Sequence, residues 1–205
     1  MNPPTHRPTK EEMRQRIMTT AESLCRTLGY NKMTVADIAA ELGISPAYIY
    51  KFFSSKRSLI QTCADQSVAE EKKHLWAASQ AEGSTFDRLE YVLKAAYAFH
   101  RERLAHDKHI YRLIITAQEE MWPCIRNFDD FLLQLVTDLV EVGRQKGEFQ
   151  IDDPLEAART LLDSFTWIIH PLLFRELPEN GVEERITAQL RLLEKGLKSF
   201  STLAR

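Results

Sequence analysis

Apolar residues recur at helical spacing along nearly the whole chain, and glycine and proline separate the segments that carry this pattern. No segment shows the alternation of apolar and polar residues that is typical of a strand. The sequence therefore predicts an all-α fold of about nine helices. The predicted breaks lie at Gly29, Gly43, Gly83, Gly147, Gly181, Pro123, Pro154 and Pro178.

Capping residues predict where the first four helices begin, because a serine or threonine side chain can accept a hydrogen bond from a free backbone N–H. The predicted starts are Thr9 with Glu12, Thr34 with Asp37, Ser45 with Pro46, and Ser54 or Ser55 for a long helix reaching about Gln80. Longer helices are predicted over about 85–104, 107–120, 124–146, 154–177 and 182–203. The last carries an apolar seam of Val182, Ile186, Leu190, Leu193, Leu197 and Phe200.

Charge is unevenly distributed along the sequence. The whole chain has 27 Lys and Arg against 29 Asp and Glu, a formal net charge of −2, which by itself argues against a nucleic-acid partner. Residues 1–60 hold nine basic and five acidic residues, and the remainder holds 18 and 24. The average therefore conceals a basic N-terminal region of +4 and an acidic region of −6.

The turn between the second and third predicted helices is typical of a helix-turn-helix motif. Ala39 is small where two helices pack closely, Gly43 permits a left-handed turn, and Ile49 can fill the angle between the helices. An ordinary helical hairpin with a glycine turn is the alternative. The segment 42–64 contains no acidic residue, which favours the DNA-binding interpretation.

In such a motif the N-terminal end of the third helix reaches base edges. The candidate base-reading residues are Ser45, Pro46, Ala47, Tyr48 and Lys51. The candidate phosphate contacts are Thr34, Tyr50 and Lys56. A surface tyrosine without a partner is the alternative for Tyr48.

Residues of about 10–64 resemble the DNA-binding domain of the TetR/AcrR family of transcriptional regulators. The resemblance rests on a first helix ending in LGY, on MTVADIAAELGIS and on AYIYKFFSSKRSLI. The matching motif positions are Thr34, Ile38, Ala39, Gly43, Ser45, Tyr50, Phe53, Lys56 and Leu59. Pro46, Tyr48 and Phe52 occupy variable positions, where we expect differences to set which operator is read. The rest of the chain resembles the family only in its layout.

The resemblance implies a helix-turn-helix domain over 1–65 and a helical effector-binding and dimerisation domain over 66–205. It implies a dimeric regulator, mostly a repressor, that a small molecule releases from a palindromic operator. Dimerisation is expected through the last two long helices, because their apolar stripes need covering. The candidate interface residues are Leu161, Ile168, Ile186, Leu190, Leu193 and Leu197. The alternative is that both stripes belong to the core of one chain.

The middle helices are rich in aromatic residues, which line ligand pockets as well as cores. The candidate pocket residues are Tyr97, His100, Gln118, Trp122, Phe165, Trp167 and His170. Pro171 lies within the most apolar segment, where proline tends to kink a helix. No cofactor is predicted, and the effector is an unidentified small molecule.

Two alternatives on the same fold remain open, a regulator that senses a metal ion and one that senses oxidation through a thiol. His106 and His109 can share a helix face, although no third ligand accompanies them, so no metal site is predicted. Cys25, Cys63 and Cys124 lie far apart and are expected to be reduced, with Cys124 near a helix N-terminus that can lower its pKa. An architectural DNA binder without an effector is disfavoured by the acidic C-terminal region.

Other protein classes are excluded by missing patterns. The sequence has no P-loop, GxGxxG, HExxH, GxSxG or CxxC motif, so catalysis is not expected. The longest uncharged stretch, 164–174, is too short to cross a bilayer, and the first residues lack the apolar region of a secretory signal. We therefore expect a cytoplasmic protein without a membrane partner.

Overall fold

The chain folds into an all-helical structure. The computed structural model describes residues 8–178 and 180–198, and these form eleven helices without a strand. The helices are α1 Lys10–Leu28, α2 Val35–Leu42, α3 Pro46–Ile49, α4 Lys56–Ser79, α5 Thr85–His106, α6 Lys108–Glu119, α7 Pro123–Gln145, α8 Pro154–Ser164, α9 Thr166–Ile169, α10 Pro171–Phe174 and α11 Val182–Leu197. We call α1–α3 the head and α5–α11 the body.

The predicted helix starts in the head are confirmed. Thr9 and Glu12 form a reciprocal capping box at α1, with the Thr9 N–H donating to Glu12 Oε2 at 2.7 Å. Thr34 and Asp37 form another at α2, and Ser45 Oγ accepts from the N–H of Tyr48 at α3. Each cap provides a partner for a backbone N–H that has none within the helix.

The turn of the helix-turn-helix motif forms as the sequence predicts. Gly43 has φ 64° and ψ 35°, the left-handed conformation, and its N–H donates to carbonyl oxygens at the end of α2. This closes α2 and redirects the chain into α3 within a few residues. Ala39 and Ile49 are buried beneath the turn, where they pack with Ile17 of α1 in one continuous core.

Helix α4 joins the head to the body. It has 24 residues, so it extends about 36 Å at 1.5 Å per residue. It packs against α1 in the head and against α5, α6 and α7 in the body. The predicted domain division between residues 65 and 66 falls inside this helix. Helix α4 therefore contacts both the head and the body.

The predicted single helix over 154–177 is wrong, because this segment forms α8, α9 and α10. Pro171 lacks an N–H and disfavours helical geometry in the residue before it, and His170 accordingly adopts an extended conformation with ψ 118°. The Pro171 carbonyl accepts a hydrogen bond from Tyr111 Oη at 2.6 Å. The breaks at Phe165 and His170 raise the helix count from the predicted nine to eleven.

The other predicted boundaries in the body agree with the structure within a few residues. Helix α5 ends at His106 and α6 begins at Lys108, so His106 and His109 belong to different helices rather than to one face. The predicted end of the last helix at 203, and Phe200 in its seam, lie outside the described residues. None of the described helices has the length and apolar character needed to span a membrane.

Candidate nucleic-acid interface and effector cavity

The N-terminal end of α3 is presented to solvent. Ser45, Pro46 and Ala47 are exposed, whereas Ile49 on the opposite side of the turn is fully buried. Small side chains at the exposed end allow a close approach to another molecule. This is the geometry that a recognition helix needs to bring its first turn to the edges of base pairs.

Tyr48 is fixed by its neighbours, and Tyr50 is free. The Tyr48 ring packs edge-on against Phe52 with centroids 5.4 Å apart, and the Lys51 ammonium lies 5.5 Å from the same ring. Tyr50 is 51% exposed, so its hydroxyl is accessible to a phosphate. The structure therefore brings Tyr48, Tyr50 and Lys51 onto one solvent-facing part of the head.

The two remaining candidate phosphate contacts are already engaged within the chain. Lys56 Nζ donates to the carbonyl oxygen of Asn31 at 3.0 Å, which fixes the loop before α2. The Thr34 hydroxyl lies 2.8 Å from Asp37 Oδ2 in the capping box, although Thr34 itself is exposed. Of the basic residues that follow the turn, Lys51 is therefore the one with the most freedom to meet DNA.

Arg14 supports the recognition segment and was missed by the sequence analysis. Its Nη1 donates to the carbonyl oxygen of Phe52 at 3.2 Å, and its guanidinium lies 4.5 Å from the Phe53 ring centroid. Arg14 is 38 residues earlier in the chain than Phe52. No local pattern marks a contact of this range, so only the folded chain reveals it.

A cavity of about 350 Å³ lies in the body, between α4 and the helices α5–α10. This volume is within the range of small-molecule sites. Its apolar wall includes Val68, Ile114, Ile125, Phe128, Leu132 and Ile169. Three of the seven predicted pocket residues, His100, Gln118 and His170, line it.

Three other predicted pocket residues pack elsewhere in the body. Phe165 is fully buried beneath α8 and α9. Tyr97 packs against Phe174 with ring centroids 5.6 Å apart. Trp167 donates its Nε1 to Gln189 Oε1 at 3.1 Å, which ties α9 to α11.

Trp122, the seventh predicted pocket residue, lies where the start of α4 meets the body. Its Nε1 donates to Glu120 Oε2 at 2.8 Å, and the same oxygen accepts from Arg57 at 2.9 Å. Arg57 is the second residue of α4. This contact therefore joins the start of α4 to the loop between α6 and α7.

The inner end of the cavity contains a buried polar pair. Glu71 of α4 is 6% exposed and His100 of α5 is 4% exposed, and Glu71 Oε1 lies 3.2 Å from His100 Nε2. His100 Nε2 and His170 Nδ1 are both buried without a hydrogen bond. Buried polar atoms without partners are costly, so these nitrogens favour a ligand that can bond to them.

Acidic groups also lie at the outer part of the cavity. Asp129 and Asp163 are exposed, as is Arg159. Burial raises the pKa of the Asp129 carboxyl above its ordinary value, and the adjacent Asp130 raises it further. The cavity therefore has an apolar wall, a buried polar end and a charged mouth.

A second polar network lies beside the cavity and joins the head to the body. Arg103 of α5 is 7% exposed and donates to the hydroxyl and carbonyl oxygens of Ser67 and, at 2.8 Å, to Glu70 of α4. Arg26 of α1 forms ion pairs with Glu70, at 3.6 Å, and with Asp107. Burial lowers the pKa of Arg103 from its ordinary value, although nearby carboxylates oppose the shift. This network of hydrogen bonds and ion pairs therefore connects helices α1, α4 and α5.

Two family models match the chain. The model described as "Bacterial regulatory proteins, tetR family" matches residues 17–63, which include α2, α3 and their turn. The model described as "Tetracyclin repressor-like, C-terminal domain" matches residues 86–188, half of the chain. The chain belongs to the TetR/AcrR family of transcriptional regulators. It is therefore an all-α, DNA-binding helix-turn-helix protein, as the sequence resemblance indicated.

Relatives of this TetR-family chain differ widely in sequence. Nucleoid occlusion factor SlmA of Pasteurella multocida is 28% identical over 102 residues, which cover 50% of this chain and 51% of SlmA. The chain thus spans about half the length of the SlmA proteins of Pasteurella multocida and Haemophilus influenzae that it matches. The HTH-type transcriptional regulator YvkB of Bacillus subtilis is 24% identical over 90% of this chain and 97% of its own length.

Solved structures share the fold at low identity. A protein of unknown function from Rhodococcus sp. RHA1 has a TM-score of 0.71 and 20% identity, and the match covers 97% of this chain and 100% of the other. FadR of Bacillus subtilis, solved in complex with stearoyl-CoA, has a TM-score of 0.59 and 17% identity, with 89% and 98% covered. These similarities concern the fold.

The apolar stripes assigned to a dimer interface lie in the core of the single chain. Leu161, Ile168, Ile186, Leu190 and Leu197 are each at most 5% exposed, and Leu193 is partly buried against the same core. Burial within one chain is the alternative that the sequence left open. On the outer side of α11, Leu192 is 78% exposed.

The structure disfavours Cys124 as a sensing thiol in this TetR-family chain. All three cysteines are buried. Burial raises the pKa of Cys124 to about 11, against the lowering that its place near a helix start suggested. A hydrogen bond with Cys25 and burial raise the pKa of the Cys63 thiol, and the same interaction lowers the pKa of the buried Cys25 thiol. Buried thiols with raised pKa values are poor nucleophiles.

Removal of the Arg103 side chain is expected to destabilise the protein. We expect Arg103→Ala to lower the free energy of unfolding by about 3 kcal/mol, because Ser67 and Glu70 lose a buried charged donor. Urea unfolding followed by circular dichroism measures this. Arg144→Ala, which breaks an exposed ion pair with Glu141, is the control and should change nothing measurable. Equal effects of the two substitutions would contradict the stabilising role of the buried Arg103.

Proposed function

We propose that this TetR-family chain is a dimeric repressor that a small molecule in the cavity releases from a palindromic operator. The observation that carries the proposal is the position of the cavity against α4. Val68 and Glu71 of α4 line the cavity, and the same helix starts beside the head. A ligand that repositions α4 therefore alters where α3 can reach.

The cavity has the features of a ligand site rather than a packing defect. Its wall is mostly apolar, and it has polar groups both at the buried Glu71–His100 pair and at the mouth, a combination that is usual in small-molecule sites. The buried His170 Nδ1 has no hydrogen bond among the described residues, so it gives a ligand a group to bond to. FadR of Bacillus subtilis, which shares the fold, was solved with a small molecule bound.

Adjacent residues of α4 connect the cavity to the head. Glu71 faces His100 in the cavity, and Glu70 contacts both Arg103 and Arg26. A ligand that engages Glu71 or His100 changes the packing of α4 on α5 and so the support of Arg26 in α1. A coupling of about 1–3 kcal/mol, typical of allostery, changes operator affinity by about 5- to 150-fold.

We assign dimerisation to the outer side of α11. This helix packs mainly against α5, and its opposite side carries the exposed Leu192. A second copy of the chain is the occupant that a palindromic operator requires. The two recognition helices then reach major grooves about 34–36 Å apart.

A substitution of Lys51 tests whether this part of the head is the DNA-binding surface. The DNA for this test is a duplex selected from a randomised pool. We expect Lys51→Ala to weaken the free energy of binding to this duplex by about 1–3 kcal/mol, because the ammonium beside Tyr48 is lost. Fluorescence anisotropy at several salt concentrations measures the affinity. Lys73→Ala, which removes an exposed charge far along α4, is the control and should bind as the wild type does. Unchanged affinity for Lys51→Ala would contradict the surface assignment.

A substitution of Leu192 tests whether the outer side of α11 is the dimer interface. We expect Leu192→Glu to convert the protein to monomers, because it places a charge where two apolar surfaces meet. Light scattering coupled to gel filtration measures the mass. Leu28→Glu, at a leucine of α1 that is 42% exposed, is the matched control and should leave the dimer intact. A Leu192→Glu variant that stays dimeric would place the interface elsewhere.

A further inference from the structure

The charges that line the cavity are predominantly negative. Three carboxylates, of Glu71, Asp129 and Asp163, face one guanidinium, of Arg159. With neutral imidazoles the lining has a net charge of −2, and protonation of His100 beside Glu71 still leaves −1. A positively charged ligand is therefore favoured over a negatively charged one.

The positions of these charges sharpen the preference. Arg159 is exposed at the mouth, where water screens it and the side chain can turn away. Glu71 is 94% buried at the inner end, where its carboxylate interacts in a medium of lower polarity. The nearby Arg103 donates its hydrogen bonds to Ser67 and Glu70, although its charge also interacts with Glu71. Glu71 is therefore the most deeply buried charge among the lining residues, and Arg103 offsets it without occupying its hydrogen-bond acceptor positions.

The hydrogen-bonding capacity of the inner end matches a donor ligand. A carboxylate only accepts hydrogen bonds and has about four acceptor positions. The one polar contact of Glu71 among the described residues is with His100 Nε2 at 3.2 Å. Because His100 Nε2 takes up at most one of these positions, the others are open to a donor. An ammonium group provides up to three N–H donors for the acceptor positions of Glu71.

We propose that the cavity binds an amphipathic amine, with its protonated nitrogen at Glu71 and its apolar body against α6 and α7. This inference rests on the proposed effector function and names its ligand class. The wall of Ile114, Ile125 and Phe128 receives the apolar body. A ligand with a carboxylate or phosphate head meets repulsion from Glu71 and finds no buried cation in the described lining to bind it.

Three probes that differ only in their head group test the ligand class. The probes are 4-phenylbutylamine, 4-phenylbutan-1-ol and 4-phenylbutanoate, titrated into the purified full chain by calorimetry at neutral pH. Because hydrogen bonds to charged groups are stronger than neutral ones, we expect the amine to bind about 10- to 100-fold more tightly than the alcohol. The carboxylate should bind most weakly.

Variants at acidic residues identify the group responsible. Glu71→Gln should remove the preference for the amine over the alcohol while alcohol binding persists. Glu119→Gln, which removes an exposed charge on α6 outside the cavity, should keep the full preference. Asp129→Asn at the mouth provides a second variant that leaves the buried pair intact, and it should reduce the preference by a smaller factor. Thermal unfolding and DNA binding verify the fold of each variant.

The outcomes separate the ligand class from the function of the cavity. If the alcohol or the carboxylate binds as tightly as the amine, or if Glu71→Gln and Asp129→Asn both keep the preference, the ligand class is wrong and the cavity remains an effector site. If none of the three probes binds at millimolar concentration while the protein still binds DNA, both the ligand class and the proposed effector cavity are wrong.

Discussion

The buried guanidinium of Arg103 holds the two parts of this molecule together. It bonds to Ser67 and Glu70 of α4, and Glu70 also faces Arg26 of the head. A charge this deeply buried is tolerated only with good partners, so the positions of α1, α4 and α5 depend on one another. The orientation of the recognition helix is consequently set in the body as well as in the head.

Glu70 and Glu71 give α4 two contacts with different roles. Glu70 belongs to the network that reaches α1, and Glu71 belongs to the cavity. Because the two residues are adjacent in one helical turn, the proposed route from the cavity to the head is short. The uneven charge of the sequence fits this arrangement, since the +4 of residues 1–60 is suited to DNA and the −6 of the remaining residues is suited to a cationic ligand.

Local chemistry made the head predictable. The capping boxes at Thr9 and Thr34 and the left-handed Gly43 depend on neighbouring residues, so the sequence alone indicates them. The cavity required the folded chain, because its residues come from seven helices. The break at His170 shows most clearly what the sequence does not predict. Pro171 indicates a kink in a helix, but the sequence does not indicate that the helix ends there. An apolar stripe alone likewise does not distinguish a core from a dimer interface, as Ile186 demonstrates.

The central claim is that the content of the cavity controls the affinity of the head for DNA. The most direct measurement is the affinity for the selected duplex at increasing concentrations of 4-phenylbutylamine, followed by anisotropy, together with calorimetry of the amine in the presence and absence of DNA. We expect saturating amine to weaken DNA binding by about 5- to 150-fold, and DNA to weaken amine binding by the same factor. Unchanged DNA affinity while calorimetry shows the cavity to be filled would mean that the cavity does not control the head.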